Sequence, residues 1–471
     1  MNIVKKTAKN MSLLFLSQVL SYVIGFFTLI FSARYLGVEG FGIISFAIAF
    51  TGIFGILADL GLKTLAVREI SRNLDLANKY LYNFTLMKLL LGAFTIFLSI
   101  FALIILNYSP EIIFITTIIL LSVIVTSITQ NFYSVFQSYH KMSYQAIGTL
   151  LNSILILIGV LLVIYFEFNL ILFSSVYFLA SLLVFIFIFM IYGRSFFSAS
   201  RDLSFCIDSL REAWPFAVTN ISINIYLWID SILLSILVSQ EAVGYYNAAY
   251  RLILITTFIP VIFGTVFFPL MSKYYLESVK SLKITFNHFL KIMLFLGIPL
   301  GVGTYFIADN LVNMIYGSDF SNSAIILQIL IWSSVLIFIR SPFERLLESM
   351  NKQMIVTKIF IIGVIFNIIT NLYLIPKFSY IGSAFATILT DIFVLLFLIL
   401  ILFKYDYYYF DKKIIISTMK IIVAALFMGV ILTFVETNIW LAILIGFISY
   451  LVISILLKTI NDEINLILKF R

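Results

Sequence analysis

Four ionisable side chains lie deep inside long apolar segments of this sequence. A charge near the centre of a bilayer costs at least about 2.5 kcal/mol unless it is paired or hydrated. Arg251 and Lys88 are the basic members of the set, and Asp230 and Asp391 are the acidic ones. Cations at such depth can bind an anionic ligand through charge-assisted hydrogen bonds. The two carboxylates are candidates for ion coupling.

Helix geometry sets the depth of the two cations. At about 1.5 Å per residue, Arg251 lies roughly 15 Å from the outer end of the eighth apolar segment, and Lys88 roughly 12 Å from the inner end of the third. We predict that both line a substrate path. The alternative is a structural ion pair, for example between Arg251 and Asp230. Asp59, close to Lys63, is interpreted as structural.

Neutral polar residues follow one face of several apolar segments. Gln18 begins such a stripe in the first segment, and Asn220 and Asn224 lie on one in the seventh, at three- or four-residue steps. The alternative interpretation is contact between helices through small and polar residues. Stripes in both segments favour a hydrated central cavity, so these three residues are predicted to bind substrate.

Motifs of soluble enzymes are absent from the sequence. No GxxxxGK[ST] loop is present to hold a nucleotide, and the two histidines have no acidic or cysteine partners at metal-ligand spacing. The single cysteine, Cys206, gives no disulfide framework. We therefore predict no catalytic residue, no metal and no cofactor. A membrane glycosyltransferase or polymerase is the less favoured alternative, because the outer loops are little more than turns.

The composition is that of a membrane protein. The chain has 471 residues, of which 62% are hydrophobic and 11% are charged, with mean hydropathy +1.13. Runs of about 20 apolar residues, each long enough to span a bilayer as a helix, recur throughout the chain. The fold class predicted is an all-α polytopic membrane protein with about fourteen transmembrane helices. The predicted spans are 11–33, 40–62, 80–106, 112–138, 144–166, 170–192, 214–238, 242–270, 286–308, 324–339, 354–375, 380–403, 414–435 and 439–457.

Basic residues alternate between successive loops. Of the 30 lysine and arginine residues, 23 fall in every second loop or terminus and two, Arg34 and Lys377, in the loops between them. This pattern obeys the positive-inside rule and places both termini in the cytoplasm. The net charge of +8 thus reflects topology and gives no reason to expect a nucleic-acid partner.

A repeated turn divides the chain into two related halves. Residues 36–47 resemble residues 238–249 at an offset of 202, with Gly42 matching Gly244. Because helices one and seven run the same way, the halves are predicted to be parallel repeats. The predicted domains are an N-lobe (1–193), a cytoplasmic linker (194–213), a C-lobe (214–403) and a C-terminal helix pair with a tail (404–471).

Pro299 lies within the ninth predicted helix, with Gly297, Gly301 and Gly303 around it. Proline removes a backbone hydrogen bond and glycine permits bending, so a kink is expected here. Either a working hinge or a static bend fits this pattern.

Three motifs resemble the signatures of prokaryotic O-antigen and polysaccharide flippases, within the multidrug/oligosaccharidyl-lipid/polysaccharide exporter superfamily. They are SARYLGVEGFG at 32–42, VREIS at 67–71 and WIDSILLS…EAVGYYNAAYRL at 228–252. The resemblance implies two six-helix bundles around a basic cavity, with an appended helix pair. It carries over Arg34, Asp230, Gly244 and Tyr246 as motif positions, and Arg34 joins the substrate-binding candidates. Drug-exporting relatives often have a proline in helix one, and this chain has none.

The resemblance also implies a function. Members of this family move polyprenyl-diphosphate-linked oligosaccharide from the cytoplasmic to the outer leaflet of the prokaryotic inner (cell) membrane by alternating access. A polysaccharide polymerase or glycosyltransferases are the expected protein partners. The alternatives are a flippase for a peptidoglycan lipid precursor and an ion-coupled multidrug exporter of the same fold.

Overall fold

A computed structural model of the chain describes residues 3–193, 200–404, 412–435 and 438–459. The chain divides into two compact units, Met1–Gly244 and Tyr245–Arg471. The division into lobes, linker and helix pair predicted above stays a prediction.

The described residues form α-helices joined by short turns, and no strand occurs among them. Short 3₁₀ turns lie at Gly55–Ala58, Leu74–Leu76 and Ser318–Phe320. The helices are α1 (Ile3–Phe54), α2 (Leu62–Arg72), α3 (Ala77–Ile105), α4 (Pro110–Ser138), α5 (Ser143–Tyr165), α6 (Leu170–Tyr192), α7 (Leu203–Leu237), α8 (Gln240–Thr256), α9 (Phe258–Glu277), α10 (Val279–Tyr316), α11 (Asn322–Ser349), α12 (Gln353–Lys404), α13 (Lys412–Leu432) and α14 (Ile439–Leu456).

Twelve stretches of the described chain are long and apolar enough to cross a membrane. Two of them each combine two predicted spans, because α1 and α12 contain a single non-helical residue between two helical segments. That residue is Gly37 in α1 and Ser379 in α12. The stretches therefore account for all fourteen predicted spans, and the all-α polytopic fold class is confirmed.

Local sequence signals explain where many of these helices begin. Side chains of Ser109, Asn169, Asp202, Ser278 and Asn438 each accept a hydrogen bond from a backbone N–H in the following first turn. Such caps satisfy donors that have no partner within the helix. Each of these five helices therefore begins at a residue whose side chain suits the N-cap position.

Several helices extend beyond their predicted bounds, such as α7 (Leu203–Leu237) and α10 (Val279–Tyr316), and two further differences are larger in consequence. Helix α11 continues to Ser349, beyond the predicted end at residue 339, so that Arg340 and Arg345 lie within the helix. The predicted span 242–270 is divided at Thr257 into α8 and α9. The first difference matters most, because it moves two arginines out of a loop and into a packed helix.

Helix α10 passes through Pro299 without a break. A Cβ atom at Gly297 would lie 3.0 Å from Cβ of Phe338, and one at Gly301 would lie 2.5 Å from Cγ2 of Val335. Both neighbours belong to α11, so these glycines permit close packing of the two helices. The glycines near the proline thus have a packing role within the second unit.

Gly37 holds the backbone conformation that interrupts α1. Its φ of 65° and ψ of −175° lie in a region that is essentially restricted to glycine. A Cβ atom there would have nothing within 4 Å, so only backbone strain opposes a larger residue. Gly37→Ala is therefore expected to lower the free energy of unfolding by about 1–3 kcal/mol, measured by denaturant unfolding in mixed micelles.

Gly25 provides the matched control for this prediction. It lies in the same helix, also has open space around its Cα, and has no positive φ. Alanine is about 1 kcal/mol more favourable than glycine inside a helix, so Gly25→Ala should be neutral or stabilising. Equal effects of the two substitutions would contradict the argument from backbone strain.

Candidate functional site

Lys88 forms a buried ion pair in the first unit. Its Nζ lies 2.6 Å from Oδ1 of Asp59 and donates a 2.8 Å hydrogen bond to the carbonyl oxygen of Ser127. The Lys88 side chain is fully buried, whereas that of Asp59 is 19% exposed. In this structure the ammonium group faces a carboxylate and not an open cavity. Substrate binding by Lys88 stays a prediction, and the function proposed below does not depend on it.

The backbone before α2 places the Asp59 carboxylate next to Lys88. Helix α1 ends at Phe54, and the 3₁₀ turn Gly55–Ala58 leads into Asp59. Gly61 follows with φ of 81°, and its N–H donates to Oδ2 of Asp59 at 3.2 Å. The sequence associated Asp59 with Lys63, its near neighbour in the chain, but the structure gives it a partner on α3.

Asp391 lies in a second buried charge network, in the second unit. Its Oδ1 accepts a 2.8 Å bond from Nη1 of Arg340, and its Oδ2 accepts one from Oγ of Ser333. Nε of Arg340 lies 3.0 Å from Oε1 of Glu344, and its guanidinium lies 5.0 Å from the centre of the Phe360 ring. The network joins α11 to α12. Sequence reasoning missed Arg340 and Glu344 because it ended the helix before both.

Arg251 and Asp230 belong to different units. Arg251 is half-buried on α8, close enough to Tyr316 at the end of α10 to interact with it electrostatically. The hydroxyl of Tyr316 donates a 3.0 Å hydrogen bond to the carbonyl oxygen of Ala248. Asp230 is buried near the end of α7. The roles predicted for the two residues, substrate binding and ion coupling, stay predictions.

The remaining candidates are more accessible. Gln18 and Arg34 are exposed on α1, and Asn220 and Asn224 are half-buried on α7. The side-chain amide of Asn224 donates a 3.0 Å hydrogen bond to the carbonyl oxygen of Asn220. Unlike the fully buried Lys88, these side chains are exposed or half-buried.

The two copies of the repeated turn contact each other within the first unit. A Cβ atom at Gly42 would lie 1.8 Å from the carbonyl oxygen of Gln240, and one at Gly244 would lie 2.1 Å from that of Val38. Gly42 and Gly244 are equivalent in the repeat, as are Val38 and Gln240. The contact is therefore reciprocal, and only glycine permits it on either side.

The segment that precedes α7 is tied to α3. Asp202 forms a 2.8 Å ion pair with Lys79, and its backbone N–H donates to Oδ1 of the buried Asn83. The hydrogen bond from Lys79, followed by those from the Phe205 N–H and the Ser204 hydroxyl, holds the pKa of Asp202 below its usual value. These contacts fix the start of α7. The first part of the predicted linker, residues 194–199, lies outside the described residues.

Metal chemistry has no evident site in the part of the chain that the structure describes. There, no group of three or more histidine, cysteine, aspartate or glutamate residues is arranged to hold an ion. The ion pairs described above, of Lys88 with Asp59 and of Arg340 with Asp391 and Glu344, join helices to each other and do not surround a metal position.

An all-helical chain of this kind, with charged and polar residues placed inside its spans, is a multi-pass membrane protein. The chain belongs to the polysaccharide biosynthesis protein family, whose model matches residues 7–275. The MatE family model matches residues 215–373. The resemblance inferred from the three motifs is therefore confirmed.

Sequence relatives include the "Probable low-salt glycan biosynthesis flippase Agl15" of Haloferax volcanii. It is 29% identical over 180 residues, and the match covers 37% of this chain and 37% of the relative. The chain thus aligns with well under two thirds of the length of this relative. The relative is named for flipping and not for a catalysed reaction, which agrees with the prediction of a non-enzymatic protein.

Solved structures resemble the fold over most of its length. A lipid II flippase, MurJ, in an inward closed conformation superposes with a TM-score of 0.79 at 22% identity, covering 96% of this chain and 99% of that one. An inward-facing multidrug resistance MATE transporter superposes with a TM-score of 0.68 at 14% identity. The match covers 82% of this chain and 96% of the transporter chain. At these identities the similarity establishes the fold alone.

Proposed function

We propose that the protein is a flippase that translocates a polyprenyl-diphosphate-linked oligosaccharide from the cytoplasmic to the outer leaflet by alternating access. The observation that carries this proposal is the family match over residues 7–275, which covers more than half of the chain. A sugar head group cannot cross hydrocarbon unaided, so its carrier must supply polar groups within the membrane. No bond is made or broken in this process.

Arg251 is proposed to bind the diphosphate. It is half-buried within a membrane-spanning helix, and its planar guanidinium suits a bidentate contact with phosphate oxygens. Gln18, Arg34, Asn220 and Asn224 are proposed to contact the head group. Their exposure and polarity support this role, whereas the enclosed Lys88 is left out of the proposed site.

The setting of transport is also a proposal. We place the protein in the prokaryotic inner (cell) membrane with both termini cytoplasmic, supported by the alternation of basic loops. Asp230 and Asp391 are proposed to take part in ion coupling. Polysaccharide polymerase or glycosyltransferases, which supply or consume the lipid-linked sugar, are the proposed partners.

Mutation of Arg251 tests the proposed function. The protein is reconstituted in liposomes with a labelled lipid-linked oligosaccharide, and a membrane-impermeant reagent reports how much has crossed. We expect Arg251→Ala to slow translocation at least tenfold, the equivalent of about 1.4 kcal/mol. Arg251→Lys should retain part of the rate, because it keeps the charge but loses the planar fork.

An exposed arginine serves as the control. Arg72 lies on α2, is 66% exposed and pairs with Glu69, so Arg72→Ala should leave translocation unchanged. Full translocation by folded Arg251→Ala would remove Arg251 from the proposed site. Absence of translocation by the parent protein, for every lipid-linked oligosaccharide tried, would count against the function itself.

Two other functions are favoured by particular observations. Transport of a peptidoglycan lipid precursor is one of them, because a lipid II flippase has the same fold. The MatE match over residues 215–373 supports ion-coupled drug export. The same liposomes loaded with lipid II or with a fluorescent drug distinguish these outcomes, since each function predicts movement of only one kind of substrate.

A further inference from the structure

Glu344 is a carboxylate in the second unit to which the proposed transport mechanism gives no role. It lies on α11, five residues before the helix ends at Ser349. Its Oε1 is 3.0 Å from Nε of Arg340, but the atom is buried and its geometry does not meet the criteria of a hydrogen bond. The Glu344 side chain as a whole is 20% exposed. The carboxylate is thus close to a charge partner, poorly bonded to it and partly exposed at the protein surface.

Arg340 is shared between two carboxylates. Nη1 bonds to Asp391 at 2.8 Å, while Nε faces Glu344 at 3.0 Å. The neighbouring Arg345 does not supply the missing charge, because its Nη1 pairs with Glu348 at 2.6 Å. With all groups ionised, these five side chains have three negative charges and two positive charges. An uncompensated charge in apolar surroundings is expensive, so the cluster favours gain of one positive charge.

Geometry identifies Glu344 as the acceptor of that charge. Asp391 has both oxygens bonded, one to Arg340 and one to Ser333, and its side chain is 1% exposed. Protonation of Asp391 would therefore break a bonded pair in a site that water does not reach. Protonation of Glu344 would weaken only its contact with Nε of Arg340, which is not a hydrogen bond. The other charged groups that act on Glu344 are Arg345 and Glu348 on α11 and Asp391 on α12.

A proton fits this position better than a metal cation. A cation such as Na⁺ needs several oxygen ligands. A cation bound to Glu344 would also be repelled by the Arg340 guanidinium, whose Nε lies 3.0 Å from Oε1 of Glu344. Among the described residues, no cluster of three or more metal-ligating side chains occurs here or elsewhere. A proton neutralises the carboxylate without further ligands.

We propose that Glu344 is a proton-binding site, which exchanges its proton with water at the end of α11 that leads into α12. Loss of the proton converts the carboxylic acid to a carboxylate and delivers the proton to water. The carboxylate then competes with Asp391 for Arg340. Since Arg340 and Asp391 join α11 to α12, the protonation state of Glu344 changes the contact between these two helices. Coupling of this change to transport rests on the proposed function, whereas the proton site itself does not.

Infrared difference spectroscopy on the full-length protein in lipid nanodiscs tests the site directly. The parent protein is titrated in H₂O and D₂O across the acid-to-neutral range, with potassium as the only other cation. We expect the carbonyl stretch of a protonated carboxylic acid to disappear as the pH rises. Glu344→Gln should abolish this band. Glu344→Asp should retain a titrating band at a shifted frequency, and this result would show that the band is not lost through misfolding of variants at position 344.

Glu277→Gln is the control. Glu277 lies at the end of α9, pairs with Lys273 and is not among the charged groups that act on Glu344, so its removal should leave the band unchanged. A band that persists in Glu344→Gln, or one that is lost in Glu277→Gln, would overturn the assignment. A band in the parent protein that responds to added Na⁺ at constant pH would also overturn it, in favour of a metal-cation site.

The transport assay then asks whether the proton is used. Under an imposed pH gradient, translocation by the parent should change several-fold, and Glu344→Gln should lose that response while Glu277→Gln keeps it. If the parent translocates nothing, the proposed function fails, but the infrared result still decides the proton site. A titrating band together with translocation that ignores the gradient in all variants would contradict only the coupling.

Discussion

Replacement of Lys88 by methionine is expected to lower the free energy of unfolding by about 3–5 kcal/mol. The substitution removes the cation but keeps a side chain of similar length, so the packing of α3 is largely preserved. Asp59, which lies 2.6 Å from Nζ in the parent, is left without its counter-charge while most of its side chain stays buried. Removal of one partner of a buried ion pair costs more than the pair itself contributes, and this asymmetry causes the large effect. Reversible denaturant unfolding in mixed micelles measures it.

A double variant separates charge from packing. Lys88→Met with Asp59→Asn removes both charges, and asparagine can still accept the hydrogen bond from the Gly61 N–H. Most of the lost stability should return. Lys63→Ala is the control, because Lys63 is the sequence neighbour of Asp59 but forms no ion pair with it. If the double variant were as unstable as Lys88→Met alone, the pair would not be the source of the effect.

The second large effect is expected at the reciprocal glycine contact. Gly42→Ala places a Cβ atom 1.8 Å from the carbonyl oxygen of Gln240, and Gly244→Ala places one 2.1 Å from that of Val38. Because both obstacles are backbone atoms, no rotamer change relieves the overlap. Each substitution should lower the free energy of unfolding by about 3 kcal/mol, the upper end for overpacking of a core. It should also slow translocation, because the turns can no longer close on each other.

Gly303→Ala is the control for this pair. A Cβ atom at Gly303 would meet only the terminal methyl group of Met428, at an ordinary contact distance of 3.4 Å. Alanine is also the better helix former, so this variant should be as stable as the parent or more stable. The reciprocity gives a second check, since Gly42→Ala and Gly244→Ala should have similar effects. A benign Gly42→Ala variant would show that the two turns do not need their close contact.

The fold was largely predictable from hydropathy and charge. Apolar runs of spanning length and the alternation of basic loops together gave fourteen spans, and the structure contains all of them. The motifs at 32–42 and 228–252 identified the family that the comparisons confirm. These signals are strong because the bilayer leaves helices few alternatives, so length and polarity alone determine the elements.

The pairing of buried charges could not be predicted in the same way. A hydropathy window does not distinguish an arginine in a loop from an arginine that is neutralised within a helix. For this reason the predicted span 324–339 ends before Arg340, whereas α11 continues to Ser349. The partner of Lys88 depended on the 3₁₀ turn Gly55–Ala58 and on the left-handed backbone of Gly61. Neither feature has a periodic pattern in the sequence. One signal was available, because a lysine buried on α3 requires a counter-charge and Asp59 is the acid that lies within a predicted span of the same lobe.

The contact between the two glycines also restricts how damage there can be repaired. The atoms that collide with a side chain at position 42 or 244 are carbonyl oxygens, and no amino-acid exchange at Gln240 or Val38 removes a carbonyl. A selection for revertants of Gly42→Ala therefore has no compensating mutation at the contacting residue. Suppressors should be confined to reversion and to changes that let the first turn of α8 withdraw, such as at Ser239, whose hydroxyl accepts from the Ala242 N–H at 3.2 Å.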